Sequence, residues 1–593
     1  MGKPTTSWRH APTARHWFES VKKKIEEVHE VKGTNVFLSR NPDPWIPDKP
    51  IGGNEVAGGR LVPKSLRPSI ALKDNIASLS ETTTCASDAL KGYRSPFDST
   101  MAALLKEGAC HIEGKTNMDE FGMGSHSTRT PVGPVRMPQP KHTVSVGGSS
   151  GGSAVAVARN EAKLALGTDT GGSVRLPAAF TGTTGFKPSY GLVSRYGVVP
   201  YANSLDTVGV IAHTALQILD FFPAISGHDA RDPTNLSPLS RNRIHLKRRD
   251  LQLRMKKFNP HDLRHLHELK IGVPAEYNVA ELDLEVHWAW HKVLGILQDR
   301  GCSIVPISLP HTKHALSAYY VIAAAEAASN LAKYDGVRYG TRSAGRDAPG
   351  GNALYSGTRS AGFGAEVRKR ILVGSYTLSS GAMDNYFIKA QKVRRLVQRD
   401  FDRVFAIPNY LRTKEQFDLS DISEHVPLED KLGPKQVDFI ICPTAPTLPP
   451  KISQVEQKQR GVENYLGDVF TVPASLAGLP AVSIPVELPP ILRSRHRVPS
   501  VGIQIIGQYS DDIHVLQVGS MIQHLCDQND LKYHAPLSLW QHDQLVELAA
   551  GGATPQEVYD RERAFRNRNL KENIAKFSSS RAEYLAGSHE QLD

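Results

Sequence analysis

The chain has 593 residues, a net charge of +11 and 40% hydrophobic residues, enough apolar side chain for a sizeable core. Its five cysteines, Cys85, Cys110, Cys302, Cys442 and Cys526, make no CxxC spacing, which argues against a disulfide framework or a zinc site. The basic balance favours an acidic partner or a basic-skewed organelle proteome, without choosing between them.

The first 18 residues contain no Asp or Glu, and combine Lys3, Arg9 and Arg15 with Thr5, Thr6 and Ser7. Residues 1–30 therefore read either as a mitochondrial targeting segment or as an exposed, flexible start. Further along, the apolar approach Ser69-Ile70-Ala71-Leu72 ends abruptly on Lys73. A lysine delivered to the end of a buried strand loses water, which disfavours the ammonium and frees the amine to act as a base. A surface lysine opening a loop would look the same in sequence.

Two serines then appear inside glycine brackets, in Gly147-Gly148-Ser149-Ser150-Gly151-Gly152-Ser153 and in Thr168-Asp169-Thr170-Gly171-Gly172-Ser173. Glycine permits positive φ and lets a substrate approach main-chain N–H groups. A serine on such a turn is reachable as a nucleophile, with N–H groups beside it to face an oxyanion. A flexible linker is excluded because the intervening Ala154–Ala158 and Leu164–Leu166 are apolar, as packed elements are. No histidine lies between His142 and His213, so a local Ser–His pair has no support, while a distant histidine stays open.

The run Arg241 to Lys257, with Arg243, Lys247, Arg248, Arg249, Arg254 and Lys256, is expected to be a solvated loop rather than a tRNA contact. His261, His265 and His267, beside Asp262 and Glu268, read as a solvated helix, and no metal site is expected. Asn409 to Lys435 looks like a surface excursion before the strand Val437–Ile441. Val469 to Leu492 is apolar but broken by Pro473, Pro480, Pro485, Pro489 and Pro490, which predicts buried strands and turns rather than a membrane span. Residues 546–593 form a charged extension, densest from Arg561 to Lys576, that reads as a partner-docking helix or a disordered tail.

Lys73, the pair Ser149-Ser150 and the stretch Thr168 to Pro177 resemble the amidase signature family. Gly185 to Gly191 and Ser204 to Gly209 continue the match, which runs from about Ile70 to Thr214 and again from Leu269 to about Leu525. The resemblance implies an α/β fold, a large mixed β-sheet covered by helices on both faces, in one domain over residues 31–545 with a surface insert at about 409–435. It also implies a Ser–Ser–Lys triad: Ser173 as nucleophile, Ser149 after a cis peptide bond as the bridge, and Lys73 as base. The N–H groups around Thr170, Gly171 and Gly172 would form the oxyanion hole. Ser150 and Ser153 fall on structural positions, and Asp169 on an organising one.

Within the family, several blocks resemble the glutamine-hydrolysing A subunits of tRNA-dependent amidotransferases. These are Thr116 to Ser125, Tyr319-Tyr320, Glu326 to Leu331, Tyr334 to Gly340, and Arg370 to Tyr376 through Gln391 to Arg394. That resemblance implies Arg370 for the substrate α-carboxylate, Asp468 for the α-ammonium and Tyr319 for a polar contact, with Arg368 the alternative if the register slips. Arginine suits a carboxylate because its planar fork pairs bidentately. It further implies no cofactor in this chain, ATP and Mg²⁺ on a partner B subunit that also holds most of the Glu-tRNA(Gln), and a small third subunit. Ser125 to Arg129 is more basic than the family pattern. A stand-alone amidase acting on small or fatty amides is the competing expectation, since one fold hosts many amide substrates.

Overall fold

The computed structural model describes residues 33–41, 68–108, 110–138, 141, 143–255, 263–279, 281–344, 353–412, 436–457, 463–493 and 498–529. The expected N-terminal segment, the charged C-terminal extension, His261 and all but Asn409 to Arg412 of the insert lie outside these residues.

Eleven strands among the described residues form one sheet, in the order β1-β3-β2-β4-β6-β5-β10-β11-β9-β7-β8. In chain order they are β1 (Phe37–Arg40), β2 (Ser69–Lys73), β3 (His111–Thr116), β4 (Leu164–Asp169), β5 (Thr184–Lys187) and β6 (Thr207–Ala212). There follow β7 (Lys270–Pro274), β8 (Ser303–Ile307), β9 (Phe439–Pro443), β10 (Ala481–Glu487) and β11 (Ser500–Ile506). The sheet is mixed: β2 runs parallel to both β3 and β4, whereas β4–β6 and β10–β11 are antiparallel. Every residue of β2, β4, β6 and β11 is buried, on both faces alike. That pattern requires helices on both sides, since a strand with one wet face alternates apolar and polar.

The helices that matter for the site are α1 (Gly151–Ala158), α2 (Arg175–Thr181), α3 (Pro238–Met255), α4 (Ala315–Asn330), α5 (Ala365–Thr377) and α6 (Val472–Ala477). Helix α1 is apolar all round but for Ser153, and its Ala154, Val155 and Val157 pack with Ala71 of β2, Ala165 of β4 and Ile211 of β6. A helix hydrophobic all round has to be central, and this one lies under the strands that carry Lys73 and Thr168.

Two expectations are corrected. From Arg241 to Met255 the basic run is not a loop but part of α3, which opens on Pro238 and then holds no Gly or Pro. Arg, Lys, Leu and Gln are good helix formers, and proline is favoured at a first helical position. Arg241 folds back to donate to the carbonyls of Leu236, Ser226 and Leu192 at 2.9, 2.8 and 2.8 Å. The stretch after Val469 begins with helix α6 rather than a strand, because Pro473 sits in its first turn where no N–H is needed. No described helix is long and apolar enough to cross a membrane. His265 pairs with Glu268 at 3.0 Å in a short 3₁₀ segment.

Candidate active site

Lys73 is the last residue of β2 and is completely buried. Its Nζ lies 2.7 Å from Ser149 Oγ, 2.9 Å from Thr168 Oγ1 and 3.2 Å from the Thr168 carbonyl. No carboxylate forms an ion pair with it among the described residues. Burial pushes the amine down to about 7, against the more distant charges of Asp119, Asp169 and Asp206. A lysine so placed is a proton acceptor near neutral pH.

Ser149 follows the cis peptide bond Gly148–Ser149 on the turn that leads into α1. Gly148 admits no side chain here, since a Cβ would overlap the Asp119 carboxylate. That carboxylate accepts from the N–H groups of Ser127 and Arg129 at 2.8 and 2.9 Å, while the Asp119 N–H donates to the Ser149 carbonyl at 3.2 Å. The block Thr116 to Ser125 thus forms the floor under the turn.

Ser173 is 8% exposed, against 1% for Ser149, so an incoming substrate reaches it first. Its hydroxyl has no hydrogen-bond partner among the described residues, and in particular none to Ser149. The two turns are nonetheless stitched together, because the Ser150 N–H donates to the Ser173 carbonyl at 3.1 Å. Gly171, Gly172 and Ser173 have no backbone acceptor for their N–H groups among the described residues. Gly172 has a φ of 149°, and a side chain there would overlap Thr471 Oγ1.

Beneath this turn Asp169 meets Arg175 of α2 at 2.9 Å, both fully buried. Burial would raise the Asp169 carboxyl, but the Arg175 guanidinium holds it below its ordinary value. Arg175 spends its remaining donors on the Thr471 carbonyl, Gln504 and Ser475. Ser150 and Ser153 donate to the carbonyls of Thr168 and Leu166, each at 3.3 Å. Asp206 takes the Thr170 hydroxyl at 2.8 Å and the N–H groups of Tyr201 and Ala202.

Of the three residues expected to hold the substrate, which come from separate elements, Tyr319 and Asp468 lie against the Gly171-Gly172 turn. Tyr319, on α4, lies so close to Gly171 that a Cβ would be 2.6 Å from its Cζ. Asp468 ends the 3₁₀ segment Glu463–Asp468, and its Oδ1 would lie 3.1 Å from a Cβ on Gly172. Burial pushes its carboxyl up to about 7, although the Ser125 hydroxyl donates to it at 2.5 Å.

Arg370, on α5, is buried, whereas Arg368, the alternative, is exposed. The Arg370 Nε donates to Glu366 at 2.9 Å and its Nη1 to the Tyr201 hydroxyl at 2.6 Å, among the rings of Tyr201, Tyr320 and Tyr465. Its Nη2 has no protein partner among the described residues and is available to a carboxylate. Helices α4 and α5 touch backbone to backbone, for a Cβ on Gly374 would overlap the Ala324 carbonyl.

Sequence reasoning missed Tyr201, Tyr320, Tyr465 and the cap on Asp468 from Ser125. Ser125, Tyr320 and Tyr465 stand inside or beside blocks already singled out, so proximity to them was the available signal. Tyr201 offered none.

A buried amine on a serine, two glycine-framed turns and a row of unpartnered N–H groups are the parts that a serine amide hydrolase would need. The amidase family model matches residues 69–516, and the chain belongs to that family. Among its relatives is the A subunit of the mitochondrial glutamyl-tRNA(Gln) amidotransferase of Podospora anserina, 55% identical over 463 residues that cover 77% of this chain and 89% of the relative. The protein of the same name from Neurospora crassa is 51% identical over 493 residues, covering 76% and 89%. In structure the chain is similar to the A subunit of glutamyl-tRNA(Gln) amidotransferase from Thermotoga maritima, with a TM-score of 0.59 and 32% identity, over 84% of this chain and 89% of that one.

Proposed function

We infer that this chain is the glutamine-hydrolysing A subunit of a mitochondrial glutamyl-tRNA(Gln) amidotransferase, and that Lys73, Ser149 and Ser173 carry the reaction. The observation that carries the reading is the buried Lys73 amine, 2.7 Å from Ser149 Oγ, on the turn stitched to Ser173. The names of relatives about half identical over most of their length support the type of subunit, the compartment and membership of a larger complex. They also disfavour the stand-alone amidase.

In this reading the Lys73 amine takes the proton of Ser149, which takes that of Ser173 as Ser173 Oγ attacks the side-chain amide carbon of glutamine. The N–H groups at Thr170, Gly171, Gly172 and Ser173 bind the oxyanion, each such donor being worth about 3 to 4 kcal/mol of barrier. The proton returns through Ser149 to the amide nitrogen, the C–N bond breaks and ammonia leaves. Water then attacks the γ-glutamyl ester and releases glutamate, with the same groups running in reverse. Arg370 holds the α-carboxylate through Nη2, Asp468 the α-ammonium, and Tyr319 closes the pocket beside Gly171. Ammonia passes to a B subunit that binds ATP, Mg²⁺ and most of the Glu-tRNA(Gln), with a small third subunit completing the complex.

Co-purification of the native complex, followed by glutaminase assay with and without Glu-tRNA(Gln), tests the reading. Ammonia release from glutamine, with amide transfer to the charged tRNA, is expected. Efficient turnover of aryl or fatty amides by the lone chain, with none of glutamine in the complex, would overturn it.

A further inference from the structure

The proposed chemistry leaves one question of stoichiometry open: what turns the lone pair of Lys73 towards Ser149? An ammonium has three donors and no acceptor, whereas a neutral amine has two N–H bonds and one lone pair. The amine has contacts to Ser149 Oγ, Thr168 Oγ1 and the Thr168 carbonyl. The carbonyl only accepts, so it takes one N–H. The second N–H and the lone pair are then divided between two hydroxyls. If Thr168 donated to the amine, the lone pair would be consumed and Ser149 would face an N–H.

We propose that Thr168, held by Asn75, is a positioning residue that accepts both N–H bonds of neutral Lys73, one on its carbonyl and one on its hydroxyl, and so aims the lone pair at Ser149. Asn75 follows Lys73 by two residues, and its Nδ2 donates to Thr168 Oγ1 at 3.1 Å, in one of the two orientations that the amide can take. Asn75 Oδ1 is buried without a partner. A half-turn of that amide places Oδ1 on the hydroxyl as acceptor of its proton, which leaves the Thr168 oxygen free to accept from Lys73. Both residues are buried, on β4 and just beyond β2. The hydroxyl is therefore shielded from water that would scramble the arrangement. The inference rests on the Ser–Ser–Lys reading of the site.

The test compares Thr168→Val, which keeps the shape and deletes the hydroxyl, with Thr168→Ser, which keeps the hydroxyl, in the purified complex with glutamine. The valine variant is expected to lower kcat by about ten- to a hundredfold, part of what a positioned general base supplies, with KM changed by less than about threefold. The serine variant should recover kcat to within about threefold of the parent. An acceptor favours the ammonium over the amine, so its removal should also move the rising limb of the kcat–pH profile to lower pH. The other charged or titratable groups around Lys73, namely Asp119, Asp169, Asp206 and Cys85, are unchanged in both variants.

An unaltered or faster valine variant, or equal losses in valine and serine variants, overturns the proposal. If the valine chain does not enter the complex, Asn75→Ala supplies the readout: a lower kcat at constant KM supports the proposal and an unchanged kcat defeats it. Lys73→Ala measured alongside separates the two levels. An inactive Lys73→Ala beside an active Thr168→Val removes this inference alone, whereas an active Lys73→Ala removes the mechanism beneath it.

Discussion

The two halves of the site are built differently. The proton-handling half comes from β2, β4 and the two glycine turns, from Lys73 to Ser173, and rests on main-chain pairing between adjacent buried strands. The substrate-holding half gathers Tyr319, Arg370 and Asp468 from α4, α5 and a 3₁₀ segment, and rests on aromatic packing and side-chain hydrogen bonds. On the proposed mechanism, chemistry is thus anchored in the sheet, while selectivity depends on how helices pack against it. Damage to the first half should therefore appear in kcat, and damage to the second in KM and substrate preference.

The sharpest test of that division is Ser173→Ala, expected to reduce ammonia release by about a thousandfold or more. Lys73→Arg should fail with it, because guanidinium stays protonated at any working pH. In the parent complex kcat should rise with pH through about 7, as the Lys73 ammonium gives up its proton. An active arginine variant, measured by ammonia release, breaks the assignment of the base.

Next in size is Arg370→Ala. Loss of a charge-assisted contact in a buried site costs about 2 to 5 kcal/mol, about 30-fold to several thousand-fold in kcat/KM for glutamine. Turnover of a small neutral amide, which has no α-carboxylate, should change little. Equal losses on the two substrates would show that Arg370 holds structure rather than substrate.

Gly374→Ala probes the helix pair without touching substrate. A methyl group forced against the Ala324 carbonyl separates α4 from α5, and a shift of about 1 Å in a binding group costs on the order of a hundredfold in kcat/KM. Neutral-amide turnover is again expected to persist, which distinguishes a displaced pocket from an unfolded chain.

The smallest effect concerns acid. Burial pushes the Asp468 carboxyl up to about 7, and a substrate ammonium binds only its ionised form. The glutamine KM should therefore climb as pH falls through about 7, by about tenfold at one pH unit below. Asp468→Asn should weaken binding and flatten that dependence, while the rise of kcat with pH, set by Lys73, remains.

The contrast also explains what the sequence made legible. Ser149 and Ser173 stood out because a reachable serine needs glycine around it, whereas Lys73 on pattern alone looked like a surface lysine opening a loop and took its role from the resemblance. Arg370 and Asp468 were reached only by resemblance, since a charged residue that will be buried looks like one that stays in water. Tyr201 was invisible: Asp206 holds its main chain, and only the fold brings its hydroxyl to Arg370. The α3 error has another origin. Charge density says how much water the side chains want and nothing about the backbone, which from Arg241 to Met255 follows the helix formers instead.

The contact of Gly374 with the Ala324 carbonyl gives the pocket a yardstick. With no side chain between them, α4 and α5 are as close as two helices can be, and the separation of Tyr319 from Arg370 cannot shrink. In the proposed pose, this close packing helps to set how far a carboxylate held by Arg370 stands from the rest of the pocket. A substrate one methylene too short, held by its charged end, would present its amide before the point of attack. On the proposed reading, a hydrogen atom on a glycine that never meets the substrate would help to measure it.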